Sequence, residues 1–158
     1  MIGLVACCKK KLSVPSRAEE LYISPLFRFA SLYCKQQYKA WFILSAKYGL
    51  LSPDEFIEPY NLTLQDKTKL ERQEWGQQVF EQLQTMHLQS EIFCLHAGRL
   101  YCEPLQNLIA CQLPLTGMGI GRRLAWYSSR LKAELYRKGQ VVGYGRIINP
   151  QPLVGRRI

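Results

Sequence analysis

Three segments of the sequence carry cations or glycines of the kind that bind phosphate groups. A run of three lysines follows the first apolar stretch, a Gly-Arg pair follows a later one, and a glycine-rich segment ends in two arginines. Ammonium and guanidinium groups suit phosphate oxygens, and glycines before a helix expose backbone amides to an anion. The candidate phosphate-binding residues here are Lys9, Lys10, Lys11, Gly98, Arg99, Gly117, Gly119, Gly121, Arg122 and Arg123. A solvated charged loop is the alternative for the lysines.

The glycine-rich segment has a more specific interpretation. Its sequence, LPLTGMGIGRRLA over 113–125, resembles a helix-hairpin-helix DNA-binding motif, with Gly119-Ile120-Gly121 as the hairpin and Arg123 as the cation. In such a motif the hairpin amides and the start of the second helix hold a phosphate. A glycine-rich turn before any helix would give a weaker form of the same signal.

A second group of candidates follows another apolar run. Lys47 offers a cation, Tyr48 a ring or a hydroxyl, and Gly49 a tight turn, with Ser45 in front of them. Tyr60 lies in the long connection that follows, and an extruded base could stack on either tyrosine. The alternative is a simple exit from a strand into a loop.

Three residues are candidates for catalysis. Glu58 lies between apolar residues and could act as a general base or position a water. His96 follows an apolar run and could donate to an anion or move protons, while Lys47 could stabilise charge. Equally, Glu58 could only neutralise Lys47, and His96 could be a hydrogen-bonded structural residue.

The elements that would position these residues alternate between strand and helix. Apolar runs predict strands, and amphipathic stretches predict helices, one of them after a Ser24-Pro25 cap and another after an Asp66 cap. The strands are predicted at 1–6, 40–44 and 91–95, the helices at 26–38, 66–87, 101–111 and 122–138, and a connection without clear period at 50–65. This order predicts a single α/β domain over 1–138, with a mostly parallel central sheet flanked by helices. A basic tail with glycines and prolines follows at 139–158.

The location of the candidates follows from that fold class. In an open parallel sheet, the loops that follow the strands meet at one edge, where ligands bind. We therefore expect three segments to converge on one site: the lysine loop (Lys9 to Lys11), the segment after the second strand and the segment after the third strand.

Charge and composition limit the classes of function that the sequence is compatible with. The chain has 158 residues and a net charge of +9, and its segments 1–50, 51–110 and 111–158 carry +6, −5 and +8. Two basic segments that meet in the fold would make a positive face suited to phosphate-bearing partners. The lack of a long apolar run or a signal peptide predicts a soluble, cytoplasmic protein with no membrane partner. Six cysteines without a CxxC pair predict core thiols, with no metal and no cofactor.

Several motifs together resemble a known family. The stretches LSAKYGLLSPD (44–54) and EPYNL (58–62), with LHAGRLY (95–101), are similar to signatures of the YaaA peroxide-stress proteins. With CCKKK (7–11), SPLF (24–27) and GMGIGRR (117–123), the chain is more similar to a short bacterial and phage domain family of unknown function in the YaaA-like superfamily. The positions that match are Ser45, Tyr48, Gly49, Pro53, Pro59 and Tyr60. The resemblance implies DNA binding in a positive cleft, and the sheet could be of the uracil-DNA-glycosylase type.

The sequence therefore leads to one main hypothesis and two alternatives. The main hypothesis is a protein that binds DNA or another polynucleotide, with contacts to the phosphate backbone dominating. The first alternative is an enzyme of N-glycosidic or base-transfer chemistry that uses Glu58 with Lys47 or His96. The second is a sensor of a phosphorylated nucleotide.

Overall fold

A computed structural model describes residues 1–137 of the chain. The tail that the sequence predicts over 139–158 lies outside the described residues. Within residues 1–137, none of the helices is both long enough and apolar enough to cross a membrane.

The described residues form seven strands and five helices, which are interspersed along the chain. The strands are β1 (Ile2–Ala6), β2 (Ser16–Arg17), β3 (Ala40–Ser45), β4 (Gly49–Leu51), β5 (Phe56–Ile57), β6 (Phe93–His96) and β7 (Cys111–Gln112). The helices are α1 (Ala18–Leu21), α2 (Pro25–Gln37), α3 (Lys69–Thr85), α4 (Arg99–Cys102) and α5 (Ile120–Arg137), with a 3-10 turn at Leu64–Asp66. The predicted mixed α/β architecture is confirmed.

The central sheet has five strands in the order β4-β3-β1-β6-β7. β1 pairs in parallel with both β3 and β6, and β6 pairs in parallel with β7, whereas β4 returns antiparallel to β3. The predicted parallel arrangement is therefore correct. Four of the five β1 residues are buried, as a strand covered on both faces requires.

Helices cover both faces of this sheet. α3 packs on one face through Trp75, Val79 and Leu83, while α2 and α5 pack together on the other. Gly3 of β1 allows α2 to approach closely, because a side chain there would meet the Sγ of Cys34 in α2 at 2.9 Å and the ring of Tyr38, just after α2, at 2.6 Å. The sheet is thus buried on both sides, and its strand ends are left to build a site.

The helix starts depend on side-chain caps. Ser24 caps α2 as predicted, with its Oγ accepting a hydrogen bond from the Phe27 amide at 3.1 Å. The predicted Asp66 cap of α3 is wrong. Thr68 caps that helix instead, because its Oγ1 accepts from the Glu71 amide while the Glu71 carboxylate accepts from the Thr68 amide. The carboxylate of Asp66 accepts from Thr63 and closes the preceding turn.

Two other element predictions need correction. The predicted helix over 101–111 is wrong: α4 ends at Cys102, turns follow, and β7 joins the sheet beside β6. Pro104 explains the break, since proline cannot donate the backbone hydrogen bond that would continue a helix. The predicted connection over 50–65 in fact contains most of β4 and all of β5, which pairs with β2.

Candidate functional site

The loops that follow β1 and β6 meet at one edge of the sheet and enclose a cavity of about 440 Å³. Cys7, Cys8 and Lys9 line it from the end of β1, and Gly98 and Arg99 line it from the end of β6. The starts of α2 and α5 complete the wall. We call this the main cavity, and it lies where the parallel strands predicted a site.

Three cations from distant parts of the chain line the main cavity: Lys9, Arg99 and Arg123. Among residues 1–137, no Asp or Glu side chain is part of the lining. Arg99 has its Nε 3.5 Å from the carboxylate of Glu103, outside the cavity wall, and the Arg99 side chain is 82% exposed. The lining is therefore positively charged, although one of its cations is partly neutralised.

Arg123 is the most firmly placed of the three cations. Its Nε donates to the carbonyl of Met118 at 2.8 Å, which fixes the plane of the guanidinium. The terminal nitrogens lie 3.6 and 4.0 Å from where a side chain on Gly98 would begin, so the missing side chain leaves room for them. No carboxylate among residues 1–137 lies within 4 Å of this guanidinium, which leaves it available to an anion.

The first turn of α5 lies at the same wall. The Arg123 amide donates to the Gly119 carbonyl at 3.0 Å, so Gly119 occupies the cap position, and Ile120 and Gly121 already belong to the helix. The first amides of a helix have no carbonyl partner within it and favour negative charge. The helix-hairpin-helix interpretation is wrong, because turns rather than a helix precede α5. The alternative, a glycine-rich turn before a basic helix, is correct.

His96 lines the main cavity but is already bonded at both ring nitrogens. Its Nε2 lies 2.8 Å from the hydroxyl of Tyr38, and its Nδ1 lies 2.7 Å from the hydroxyl of Tyr127. Burial lowers the pKa of His96 to about 4, which keeps the imidazole neutral. One tyrosine must then donate to the ring and the other accept from it, so this wall of the cavity is polar and uncharged.

The three lysine side chains of the lysine loop have different surroundings and roles. Lys11 donates from its Nζ to the carbonyls of Cys8 and Lys9, at 2.9 and 3.3 Å, and burial lowers its pKa. Lys11 therefore shapes the loop. Lys9 and Lys10 are exposed, and Lys9 is the one that lines the main cavity.

A second polar cluster lies at the end of β3, and we call it the motif cluster: Ser45, Tyr60 and Tyr22. The Oγ of Ser45 accepts from the amides of Lys47 and Tyr48 and lies 2.7 Å from the Tyr60 hydroxyl. That hydroxyl lies 2.7 Å from the Tyr22 hydroxyl, and burial raises the pKa of both tyrosines. The polar groups of this cluster therefore bond mainly to one another.

Gly49 forms the tight turn that was predicted for it. Its φ is +73°, in the left-handed region that favours glycine, and a side chain there would also collide with Gln82. Gln82 donates to the carbonyl of Tyr48 and accepts from the amide of Leu50 at 2.8 Å. The turn is thus fixed from α3, on the face opposite to α2.

The structure divides the predicted site residues into two sets. The residues that line the main cavity are Lys9, His96, Gly98, Arg99 and Arg123. Those that do not line it are Lys10, Lys11, Ser45, Lys47, Tyr48, Gly49, Glu58, Tyr60, Gly117, Gly119, Gly121 and Arg122. Glu58 is exposed, and none of the ion pairs within residues 1–137 joins it to Lys47.

Sequence reasoning missed several residues of the lining. Ser24, Thr63, Tyr101 and Tyr127 all contribute to the main cavity. The signal for Ser24 was present, because a capped helix start after a strand lies at the same sheet edge. Tyr101 contacts the thiol of Cys7, with its hydroxyl 3.2 Å from the sulfur.

A smaller cavity of about 250 Å³ lies next to the main one, and we call it the side cavity. It is lined from α4, from the turns after it and from the segment 113–117. Gly117 of the predicted site lies here, and Arg99 and Arg123 line both cavities.

Metal binding finds no support among the described residues. Within residues 1–137, no group of three or more His, Cys, Asp or Glu side chains is arranged to hold a metal ion. All six cysteines are free thiols, and Cys34, Cys94 and Cys102 are buried as predicted for core residues.

Comparisons with known proteins give a family and one relative. A model of a family of unknown function, DUF6884, matches residues 2–129. The uncharacterized protein YfjM of Bacillus subtilis (strain 168) is 38% identical over 60 residues. That match spans 34% of this chain and 40% of YfjM. No solved structure matches the chain.

Proposed function

We propose that this chain, which belongs to the DUF6884 family, binds a nucleic-acid strand and takes one nucleotide of it into the main cavity. The observation that carries the proposal is the guanidinium of Arg123, which is fixed by the Met118 carbonyl and faces a lining without carboxylates. Lys9 and Arg99 add positive charge at the same wall. A phosphate would thus meet three cations and the first amides of α5.

The rest of the lining suits the base and sugar of a nucleotide. Apolar side chains such as Leu26, Leu62, Leu100 and Leu115 make up much of the wall, beside the ring of Tyr101. A volume of about 440 Å³ is within the range of small-molecule sites, which are mostly apolar with a few polar groups. A base can reach such a cavity from a single strand or after extrusion from a duplex.

A strand is favoured over a free nucleotide by the charge around the opening. Lys10 and Arg122 are exposed and are the chain neighbours of Lys9 and Arg123, so further positive charge is available to a strand that extends out of the cavity. The net charge of +9 acts in the same direction. The resemblance to the YaaA-like superfamily implies DNA binding and therefore supports DNA as the polymer. We include in the proposal both membership of that superfamily and a sheet of the uracil-DNA-glycosylase type.

One observation favours the sensor alternative. The cavity encloses a limited volume, which a mononucleotide could fill without any neighbouring residues of a strand. The base-transfer alternative gains no such support, because Glu58 is exposed and lines neither cavity. The experiment below therefore compares a strand with a mononucleotide.

The test is binding of fluorescently labelled single-stranded and duplex DNA, and of a 5′-phosphorylated mononucleotide, at about 50 and about 200 mM salt. We expect single-stranded DNA to bind most tightly and its affinity to fall steeply with salt. Arg123→Ala should weaken that binding by about 10- to 100-fold, because charge-assisted hydrogen bonds to phosphate are lost.

The matched control is Arg72→Ala, which removes the same charge on α3, on the other face of the sheet from α5. It should change the affinity by less than about threefold. Equal losses in the two variants would show binding by net charge alone and would overturn the assignment to the main cavity. A lack of binding to either DNA, with tight binding of the mononucleotide, would replace the proposal by the sensor alternative.

A further inference from the structure

The side cavity shares part of its wall with the main cavity. Ala97, Arg99, Leu115 and Arg123 line both, so the two arginines lie where the two cavities adjoin. A ligand that places a phosphate on these arginines would have room for one group on either side of it. Two base-bearing units joined through a phosphate have that form.

The lining of the side cavity suits a flat, polar-edged ring. Leu95, Leu113 and Leu115 supply apolar surface, and the side chain of Gln106 supplies both an N–H donor and a carbonyl acceptor. No hydrogen bond within residues 1–137 uses that side-chain amide. An amide of this kind can bond bidentately to a base edge, whereas Thr116, also in the lining, already donates to the Leu113 carbonyl.

The volumes of the two cavities indicate which part of the ligand each cavity would hold. The main cavity has about 440 Å³ and the side cavity about 250 Å³, so the larger one accepts a whole nucleoside and the smaller one a base. Glu103 is the acidic residue in the side cavity lining, and it pairs with Arg99. The side cavity is thus less positive than the main one, which agrees with a base rather than a second phosphate.

We propose that the two cavities together bind a dinucleotide unit, with its linking phosphate on Arg99 and Arg123 and the edge of its second base on Gln106. This inference rests on the proposed function and adds the length of the ligand that is recognised. The same chemistry is present in a free dinucleotide and in two successive nucleotides of a strand.

The experiment measures the affinity of a 5′-phosphorylated mononucleotide, the matching dinucleotide and an octanucleotide by calorimetry. We expect the dinucleotide to bind at least about tenfold more tightly than the mononucleotide. Gln106→Leu should remove most of this advantage and leave mononucleotide binding within about twofold. Gln36→Leu, an exposed change on α2 outside both cavities, should alter neither affinity.

The outcomes separate the inference from the proposed function. A dinucleotide that binds no better than the mononucleotide, or an advantage that survives Gln106→Leu, would overturn the inference and leave the proposed function standing. No binding of any of the three would overturn both. If both hold, an octanucleotide as tight as the dinucleotide identifies a strand as the source, and a much weaker one identifies a free dinucleotide.

Discussion

The two polar regions at the sheet edge differ in where their hydrogen bonds go. In the motif cluster, the Ser45 hydroxyl serves two amides and the Tyr60 hydroxyl, and Lys11 lies 4.3 Å from the centre of the Tyr60 ring. In the main cavity, Arg123 uses one nitrogen on a carbonyl and leaves the others toward an open space. Both regions contain hydroxyls and cations, but the cations of the main cavity line a space that a ligand could fill, whereas Lys11 of the lysine loop bonds to backbone carbonyls.

The difference shows how a polar motif can be structural. The loop after β3 reverses the chain within the three residues that separate β3 from β4, and the partly buried amides of Lys47 and Tyr48 in this loop need acceptors. Ser45, which is fully buried, provides them. The loops that line the main cavity leave their cations to solvent instead. We therefore expect changes in the motif cluster to alter stability and changes in the main cavity to alter binding.

The largest expected effect is that of Ser45→Ala. It removes the acceptor of two amides and a partner of the Tyr60 hydroxyl, so we expect the free energy of unfolding to fall by about 2–3 kcal/mol in urea titrations. Ser129→Ala, which removes an exposed hydroxyl bonded to the Trp126 carbonyl, should cost less than about 0.5 kcal/mol. DNA affinity should not change. A variant of normal stability that fails to bind would mean that the motif cluster contacts the ligand.

The second-largest expected effect is a pH dependence of stability, which tests whether the His96 imidazole in the wall of the main cavity is neutral. The pKa of His96 is about 4 in the folded protein against about 6.5 when unfolded, so the unfolded chain binds the extra proton as the pH falls. Stability is therefore full above pH 6.5 and is lost toward pH 4, by about 2 kcal/mol between about pH 7.5 and about pH 5. Thermal unfolding against pH measures it.

His96→Gln provides the comparison for that pH dependence. Its amide can still bond to Tyr38 and Tyr127 but has no proton to gain, so the fall in stability above pH 5 should disappear. The carboxylates of Asp66, Glu71 and Glu91, whose pKa values are lowered by their hydrogen bonds, titrate at lower pH and do not interfere. An unchanged slope in the variant would show that another group is responsible.

The smallest expected effect is that of Lys47→Ala. Lys47 is exposed, and its Nζ lies 5.2 Å from the centre of the Tyr48 ring, a contact worth about 0.5 kcal/mol. Stability and DNA affinity should both stay close to the wild-type values. Lys9→Ala removes the same charge from the lining of the main cavity, and we expect it to weaken binding by about three- to tenfold at low salt. Equal effects of the two variants on binding would contradict the distinction between a structural motif cluster and a ligand-binding main cavity.

The central fold could be predicted because its strands are buried on both faces. Continuous apolar runs predicted β1, β3 and β6, and Ser24 predicted the start of α2. β7 could not be predicted, since a strand of two residues has no period and forms only because β6 offers a free edge. The segment around Pro104 has apolar residues at helical spacing, but its turns pack against Gly76 of α3.

The candidate site could be predicted only in part. Lys9, Arg99 and Arg123 were found because they follow strands or begin a helix at one sheet edge. Ser45 and Tyr60 of the motif cluster were grouped with them, because residue type alone does not show whether a hydroxyl bonds to a ligand or to a neighbouring amide. Tyr60 and Ser45 are fifteen residues apart in the chain, with β4 and β5 between them, and no sequence pattern indicates their contact.

The central place of β1 has a consequence for the order in which the protein is made. Ile2 of β1 pairs with Ala40 and with Phe93, so the ribosome produces the middle strand of these three first and its second neighbour much later. Until β6 has emerged, β1 keeps one open edge, and an unpaired apolar strand is a template for aggregation. Arg123 follows later still. A nascent chain must therefore protect its central strand until β6 has been made, and it gains Arg123 for ligand binding only after that.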